Sequence, residues 1–499
     1  MNRRHQTKPS RDPVTGPRRI GLVSATTLVA ASMIGVGVYT TSGFTLAALG
    51  SPDQVVAAWI VAGVIAICGA SGYASLSSRF HQSGGEYLFL SRTLHPIAGV
   101  IAGLVSMLAG FTGAIAIAAI GLEEYARPLL GETLASLPSG TIAVASVAAA
   151  ATLHSIGIRG ASRIQDVIVI AKLLMIAGFI VLAVSSSRGD GSLPNSPVAN
   201  TPATNSPTTN SPTTSGPVAN VPPAADTPAD APIDRQASDS GLDDSVPADT
   251  VVDEPASFDW LNFAQQLVWI SFSYAGFNAA VYVAGEVRDP QRNIPRALVG
   301  GTVMVTILYV ILNWIFVTSA PVEQLTDPAN ISQIAAASAV AIGGDGFSTL
   351  VRLVIVVSLM TSVSAMVMTG PRVYAKMADD GFLPSWFRFE DRPPVAAIGF
   401  QAALAITAIL IASLTQLLGY LGLTLSVCSA LTVAMLWVDR ARGRITRLPL
   451  WGMPAAIYVI ATLVITTLYA IQEPGQAKVA GLTIAVGTVA CLIGRRRKH

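Results

Sequence analysis

Uninterrupted apolar stretches constrain this chain most, because about 18 such residues are what a helix needs to cross a hydrocarbon layer roughly 30 Å thick. Twelve stretches can be read, centred near Ile34, Ile65, Val105, Ser146, Leu174, Ser271, Leu308, Val357, Leu404, Ser426, Val459 and Val486. Backbone polar groups find no water in lipid, so a spanning segment must satisfy them internally, and runs of this length do so as helices. The expected fold is an all-α integral membrane protein with twelve transmembrane helices. Composition agrees, since 12% of the 499 residues are charged, against about 25% in an ordinary soluble domain.

Charge placement orients the helices. Arg3, Arg4, Lys8, Arg11, Arg18 and Arg19 precede the first run, and Arg495, Arg496, Arg497 and Lys498 close the chain. The even-numbered connections are basic, from Arg79 and Arg92 through Arg159 and Arg163, then Arg288, Arg292 and Arg296, then Arg372, Lys376, Arg388 and Arg392, to Arg440 and Arg447. The odd-numbered ones carry acids such as Glu123, Glu124, Glu132, Glu323, Asp327 and Asp345. Positive loops stay cytoplasmic, so both termini are expected inside, in a multi-pass plasma (inner) membrane protein. The first 19 residues are too polar for the core of a signal peptide, so no cleavage is expected there.

One stretch cannot join a helix bundle. Residues 186–257 are rich in Pro, Thr, Ser, Asn and Ala, with near-repeats at Asn205–Thr209 and Asn210–Thr214, and end in a run of aspartates. Such a composition buries too little apolar area to offset its ordering entropy. It reads as a disordered extracytoplasmic insertion. The remaining divisions are a basic tail over 1–19, helices one to five over 20–185, six to ten over 258–438, eleven and twelve over 439–494, and a basic tail over 495–499.

Two of the apolar runs carry backbone breaks. The first holds Ile34-Gly35-Val36-Gly37-Val38-Tyr39, and the sixth holds Phe272-Ser273-Tyr274-Ala275-Gly276-Phe277-Asn278. Interrupted helices in corresponding places of two halves point to a transporter's binding site. A break frees N–H groups at the start of one half-helix and C=O groups at the end of the other, which a zwitterionic amino acid matches with its carboxylate and ammonium. The carboxylate is expected on the amides of Gly35, Val36 and Gly37. The ammonium is expected on the carbonyls of Met33, Phe272, Ser273 and Ala275, with Gly276 allowing the close approach.

Several separated motifs then resemble the amino acid, polyamine and organocation permease superfamily. These are Gly35-Val36-Gly37, Ser83-Gly84-Gly85-Glu86-Tyr87, Gly160-Ala161-Ser162-Arg163-Ile164-Gln165 with Lys172, the sixth-run motif, and Pro371-Arg372-Val373-Tyr374 through Asp380-Gly381-Phe382-Leu383-Pro384. The match runs from about Gly21 to Gly494 outside the insertion. The sixth-run motif, with Leu308, Tyr309 and Asn313, is most similar to L-type and related bacterial amino acid exchangers. The resemblance implies a LeuT-type five-plus-five inverted repeat plus two helices, with broken helices one and six around a midplane site. Val36 stands where members often carry Ser, Thr or Ala, so a hydroxyl contact to the carboxylate is missing here.

Lys172 lies too deep in the fifth run for its stem to reach water. In some relatives a lysine at this place stands where ion-coupled cousins hold sodium. Sodium-independent transport is therefore expected, with Lys172 in a coupling role beside Ser362 and Ser364. A structural lysine bonded to carbonyls is the other reading, and proton symport and exchange both fit. Phe272 is read as a gate over the site, Phe277 as packing, and Asn278 as an interhelical hydrogen-bonding group. Glu86, Glu286 and Arg372 fall at cytoplasmic helix ends, where they either latch an inward gate or form surface pairs of little energetic weight.

The sequence also excludes function classes. The five histidines are scattered, and Cys68, Cys428 and Cys491 lie singly in apolar runs, so neither a metal site nor a disulfide framework is indicated. No midplane cluster of His, Asp or Glu suggests an enzyme, and no cofactor or nucleic acid is expected. No acidic side chain is evident around either break, which argues against polyamines and other dications. A neutral amino acid is the expected substrate, with the lipid bilayer and protons as its other partners. A nontransporting amino acid sensor on the same scaffold, and transport of a polyamine or other organic cation, are the alternatives. The sequence is silent on a partner subunit, although the lack of cysteine between helices three and four argues against a disulfide-linked heavy chain.

Overall fold

The structure is a computed structural model that describes residues 20–80, 82–131, 136–156, 161–189, 258–388, 395–444 and 452–496. The tail at 1–19, most of the expected insertion (190–257) and the last three residues lie outside the described residues. Among the described residues there are only helices and one isolated parallel bridge, between Ile20 and Val287.

The helices follow in order as α1 (Leu22–Met33), α2 (Gly37–Leu49), α3 (Pro52–Ser77), α4 (Gly85–Thr93), α5 (Pro96–Val105) and α6 (Ala114–Ala126). Then come α7 (Thr141–Ile156), α8 (Ala161–Gly189), α9 (Trp260–Tyr274), α10 (Ala279–Tyr282) and α11 (Pro290–Thr318). The chain continues through α12 (Val322–Leu325), α13 (Ile334–Asp379), α14 (Val395–Ile411), α15 (Leu414–Ala441), α16 (Gly452–Gln472) and α17 (Pro474–Arg496). Helix α8 runs past the boundary expected at residue 185. Between α5 and α6 the backbone forms a π-helical turn, Ser106–Gly113, a widening that frequently accompanies functional sites.

Among the described residues seven helical runs are long and apolar enough to cross a membrane, beginning with Leu22–Leu49, Pro52–Ser77 and Pro96–Leu129. The apolar segments Thr141–Ile156, Val169–Ser185 within α8, and Val395–Ile411 are shorter, and α9 ends at the sixth-run break after 15 residues. Helix α13 is likewise interrupted, with Gly343 and Gly344 outside helical geometry.

Helix α11 packs along α3 and α1, α13 along α6, and α9 against α15, α2 and α3, so both broken segments are enclosed by continuous helices. Apolar side chains fill this interior, including Trp59, Tyr274 and Tyr309, whose rings meet pairwise with centroids 5.2–5.7 Å apart. Polar groups buried around these rings form a chain of hydrogen bonds, as burial without a partner is costly. Trp59 Nε1 donates to Ser42 Oγ at 2.7 Å, Ser42 Oγ donates to Asn313 Oδ1 at 2.5 Å, and Tyr274 Oη donates to the Trp59 carbonyl at 3.0 Å. Glu123, which reads in sequence as a loop acid, is buried. It accepts from the N–H groups of Gly140 and Ala143 at 2.8 and 2.9 Å and pairs with Arg127, capping α7.

Candidate functional site

The first run breaks where sequence places the glycines. Helix α1 stops at Met33, Ile34 leaves helical geometry (φ −74°, ψ 83°), and α2 starts at Gly37. In the sixth run α9 stops at Tyr274, Ala275 is extended (φ −57°, ψ 146°), and Gly276 takes φ +100° before α10. The breaks touch, since a Cβ built on Gly276 would lie 2.6 Å from the Ser32 carbonyl oxygen. A cavity of about 120 Å³ opens between them. All eight residues expected to bind substrate line it, namely Met33, Gly35, Val36, Gly37, Phe272, Ser273, Ala275 and Gly276.

Within that cavity the chain already satisfies part of what the breaks expose, and two expectations are corrected. The Gly35 N–H donates to the Met33 carbonyl at 2.8 Å, a three-residue turn that removes Gly35 from the free donors. Tyr309 Oη donates to the same carbonyl at 2.6 Å, so both lone pairs of Met33 O are taken and it has none for an ammonium. The Ile34 carbonyl is similarly filled, by Lys172 Nζ at 2.6 Å and Ser362 Oγ at 3.0 Å. What remains are the N–H groups of Val36 and Gly37, which open α2 and have no acceptor within it, and carbonyl lone pairs at Phe272, Ser273 and Ala275.

Sequence reasoning did not single out Tyr309 as a site residue. It is fully buried on α11, and its hydroxyl reaches Ser273 O of the second break at 3.2 Å as well as Met33 O of the first. Tyr309→Phe deletes this donor from two buried carbonyls, so thermal unfolding in detergent is expected to lose about 1–3 kcal/mol of stability. An unchanged melting curve would remove Tyr309 from the account of how the breaks are held.

The residues expected to couple transport separate. Lys172 is buried and stands 3.5 Å from Ser362 Oγ, behind the first break. Ser364 is not its neighbour but bonds His154 Nε2 at 2.8 Å. The reason is helical geometry, because positions two apart point about 200° away from each other.

The residues expected at a gate separate too. Glu286 pairs with Arg372, Oε1 to Nε at 2.9 Å, and the pair is partly exposed. Beside it the backbone pairs with Ile20 ahead of α1, with Ile20 N donating to Glu286 O at 3.1 Å and Arg288 N to Ile20 O at 2.9 Å. Asp380 of the motif after Pro371 is bonded by Tyr87 Oη at 2.6 Å, and Asp439, near the end of α15, is a fully buried acid paired with Arg79 and Arg444. Asp439 had no sequence signal beyond lying at the end of an apolar run.

Glu86 belongs to no ion pair among the described residues. The consecutive glycines Gly84 (φ +141°) and Gly85 (φ +55°) turn α4 so that Glu86 is buried and lines the cavity. It accepts from Asn278 Nδ2 of the second break at 2.8 Å and from Tyr282 Oη at 2.6 Å. This corrects its expected place in a surface network, and corrects the expectation that no acid stands near the breaks. Phe272 borders the cavity, and Phe277 packs edge-on against Tyr73 and Tyr458 with centroids 5.5 and 6.1 Å away.

Comparison with known proteins agrees with this architecture. The chain is 25% identical over 405 residues to the serine/threonine exchanger SteT of Bacillus subtilis, covering 79% of this chain and 77% of SteT. It is 24% identical over 428 residues to the large neutral amino acids transporter small subunit 2 of Rattus norvegicus, covering 84% and 69%. With the b(0,+)-type amino acid transporter 1 of Mus musculus it shares 23% over 466 residues, covering 92% and 82%. Apolar helices of spanning length and transporter relatives make it a multi-pass membrane protein. The profile of the amino acid permease family matches residues 20–492, nearly the whole chain, and the protein belongs to that family.

Proposed function

We propose that this permease is a secondary transporter that moves a neutral amino acid by alternating access, without sodium, in symport with protons or by exchange. One observation carries the reading: the two helix breaks meet at a single cavity whose remaining backbone donors and acceptors match a zwitterion. The substrate carboxylate sits on the Val36 and Gly37 N–H groups at the positive end of α2. The ammonium sits on the carbonyls of Phe272, Ser273 and Ala275, and Phe272 closes over the bound molecule. The chain then has twelve spans, with inverted repeats over 20–185 and 258–438, two further helices over 439–494, and both ends on the cytoplasmic side of the plasma (inner) membrane. The 186–257 insertion is an extracytoplasmic spacer in that topology, and the Glu286–Arg372 pair lies at the inward gate.

Sodium independence draws support from Lys172, whose amino group occupies the Ile34 carbonyl and neighbours the Ser362 hydroxyl, oxygens that a bound cation would need. A neutral substrate draws support from Glu86. Its carboxylate is saturated by protein donors, which leaves no lone pair for a second positive charge. The names of the relatives, a serine/threonine exchanger and a large neutral amino acid transporter, point the same way.

The test is uptake of labelled neutral amino acids by proteoliposomes in sodium-free buffer, with empty and preloaded vesicles and with and without an inward proton gradient. Uptake is expected in sodium-free buffer, accelerated by the gradient or by preloading. A strict sodium requirement, or preference for a polyamine over every neutral amino acid, would sink the reading.

A further inference from the structure

Glu86 is the only Asp, Glu, His, Lys or Arg lining the cavity among the described residues. Its carboxylate holds five donors. Oε1 accepts from Tyr73 Oη on α3 at 2.7 Å, Asn278 Nδ2 at 2.8 Å and Ser429 Oγ on α15 at 3.4 Å. Oε2 accepts from Ser106 Oγ of the π-helical turn at 2.9 Å and Tyr282 Oη on α10 at 2.6 Å. The titratable groups that face it are Tyr73, Tyr282, Cys428 on α15 and Tyr458 on α16. None of these carries positive charge in either protonation state.

Five donors and no cation make a receptor for an anion. An ionised carboxylate has about four lone-pair sites and no proton to give, whereas a carboxylic acid must donate its own O–H and accepts less well. Protonation therefore forces at least one donor to turn round or let go. The partners divide in a useful way: Tyr73, Ser106 and Ser429 lie on long packed segments, while Asn278 and Tyr282 lie on the short segment after the second break. We propose that Glu86 is a proton-operated latch. Ionised, it fastens residues 278–282 against α3, the π-helical turn and α15. On taking a proton from cavity water it releases them, so that end of the cavity opens, and the proton returns to water when the latch closes.

This rests on the cavity being the transport path, and the test separates the two ideas. Cys428, buried beside Glu86, serves as reporter in full-length protein carrying Cys68→Ser and Cys491→Ser. Tyr282→Phe removes one donor without altering charge, and Glu86→Gln removes the anion at constant shape. Both are expected to speed alkylation of Cys428 by N-ethylmaleimide at one fixed pH by about fivefold, the population shift that one lost hydrogen bond gives. In proteoliposomes the wild-type transport rate is expected to depend on pH, and Glu86→Gln to flatten that profile. Unchanged alkylation in both variants, or a wild-type pH profile in Glu86→Gln, overturns the latch. Should Glu86→Gln not fold, Tyr282→Phe decides alone by its alkylation rate. If the wild type takes up no amino acid yet both variants still label faster, the latch stands and the permease reading of the cavity fails.

Discussion

Lys172→Met is expected to slow amino acid transport about 100-fold, the rate equivalent of the roughly 1.5–3 kcal/mol that a hydrogen bond to a charged group contributes. Stability should not fall with it. The side chain is fully buried on α8, and among the described residues no carboxylate pairs with it. Methionine keeps the length of the stem and removes the desolvation cost of the amino group, a replacement that is often neutral or stabilising at buried ionic sites. What disappears is the 2.6 Å bond to Ile34 O, which orients the first break next to the Val36 and Gly37 amides. Ser362 still donates to that carbonyl at 3.0 Å, so it is not orphaned. The measurement pairs uptake in proteoliposomes with thermal unfolding in detergent. Lost transport with an equal or higher melting temperature supports a working role. Wild-type transport means that Lys172 does not couple, and parallel loss of both means that it is a structural anchor.

Much of this site was legible in sequence because glycine among small and aromatic residues, inside a run otherwise fit to span, marks a backbone that must open. Both breaks lie where Gly35-Val36-Gly37 and Ala275-Gly276 put them, and the eight residues named from them border one cavity. The sequence could not say which of the exposed backbone groups the protein satisfies itself. That depends on tertiary partners: Tyr309 comes from α11 to Met33, and Lys172 and Ser362 come from α8 and α13 to Ile34. Ser364 was misplaced by counting along the chain instead of around the helix. Glu86 was misplaced because a carboxylate after an apolar run looks like a helix end, and only the left-handed pair Gly84 and Gly85 turns it inward. Two glycines in a row ahead of an acid were the available signal. Spanning helices were the other limit, because the seven long runs stand beside shorter helices whose length alone does not require a crossing.

Gly276→Ala is expected to abolish transport, while Gly300→Ala, made in parallel, leaves it intact. At Gly276 the backbone holds φ +100°, a region that costs a residue with a Cβ about 1–3 kcal/mol. The added atom would also lie 2.6 Å from the carbonyl oxygen and 2.8 Å from the carbonyl carbon of Ser32. Those are backbone atoms in the last turn of α1, so no side-chain rotation relieves the contact, and the two breaks must move apart. The separation reaches the backbone of Phe272, Ser273 and Ala275, residues that line the same cavity. Gly300, exposed on α11, has nothing within 4 Å of a built Cβ, and glycine to alanine inside a helix stabilises by roughly 0.5–1 kcal/mol. Opposite signs are thus expected for the same chemical change: a lower melting temperature and no uptake at 276, a slightly higher one and normal uptake at 300. Normal uptake by Gly276→Ala would mean that the breaks do not need their close approach, and the substrate site would have to be sought elsewhere in the protein.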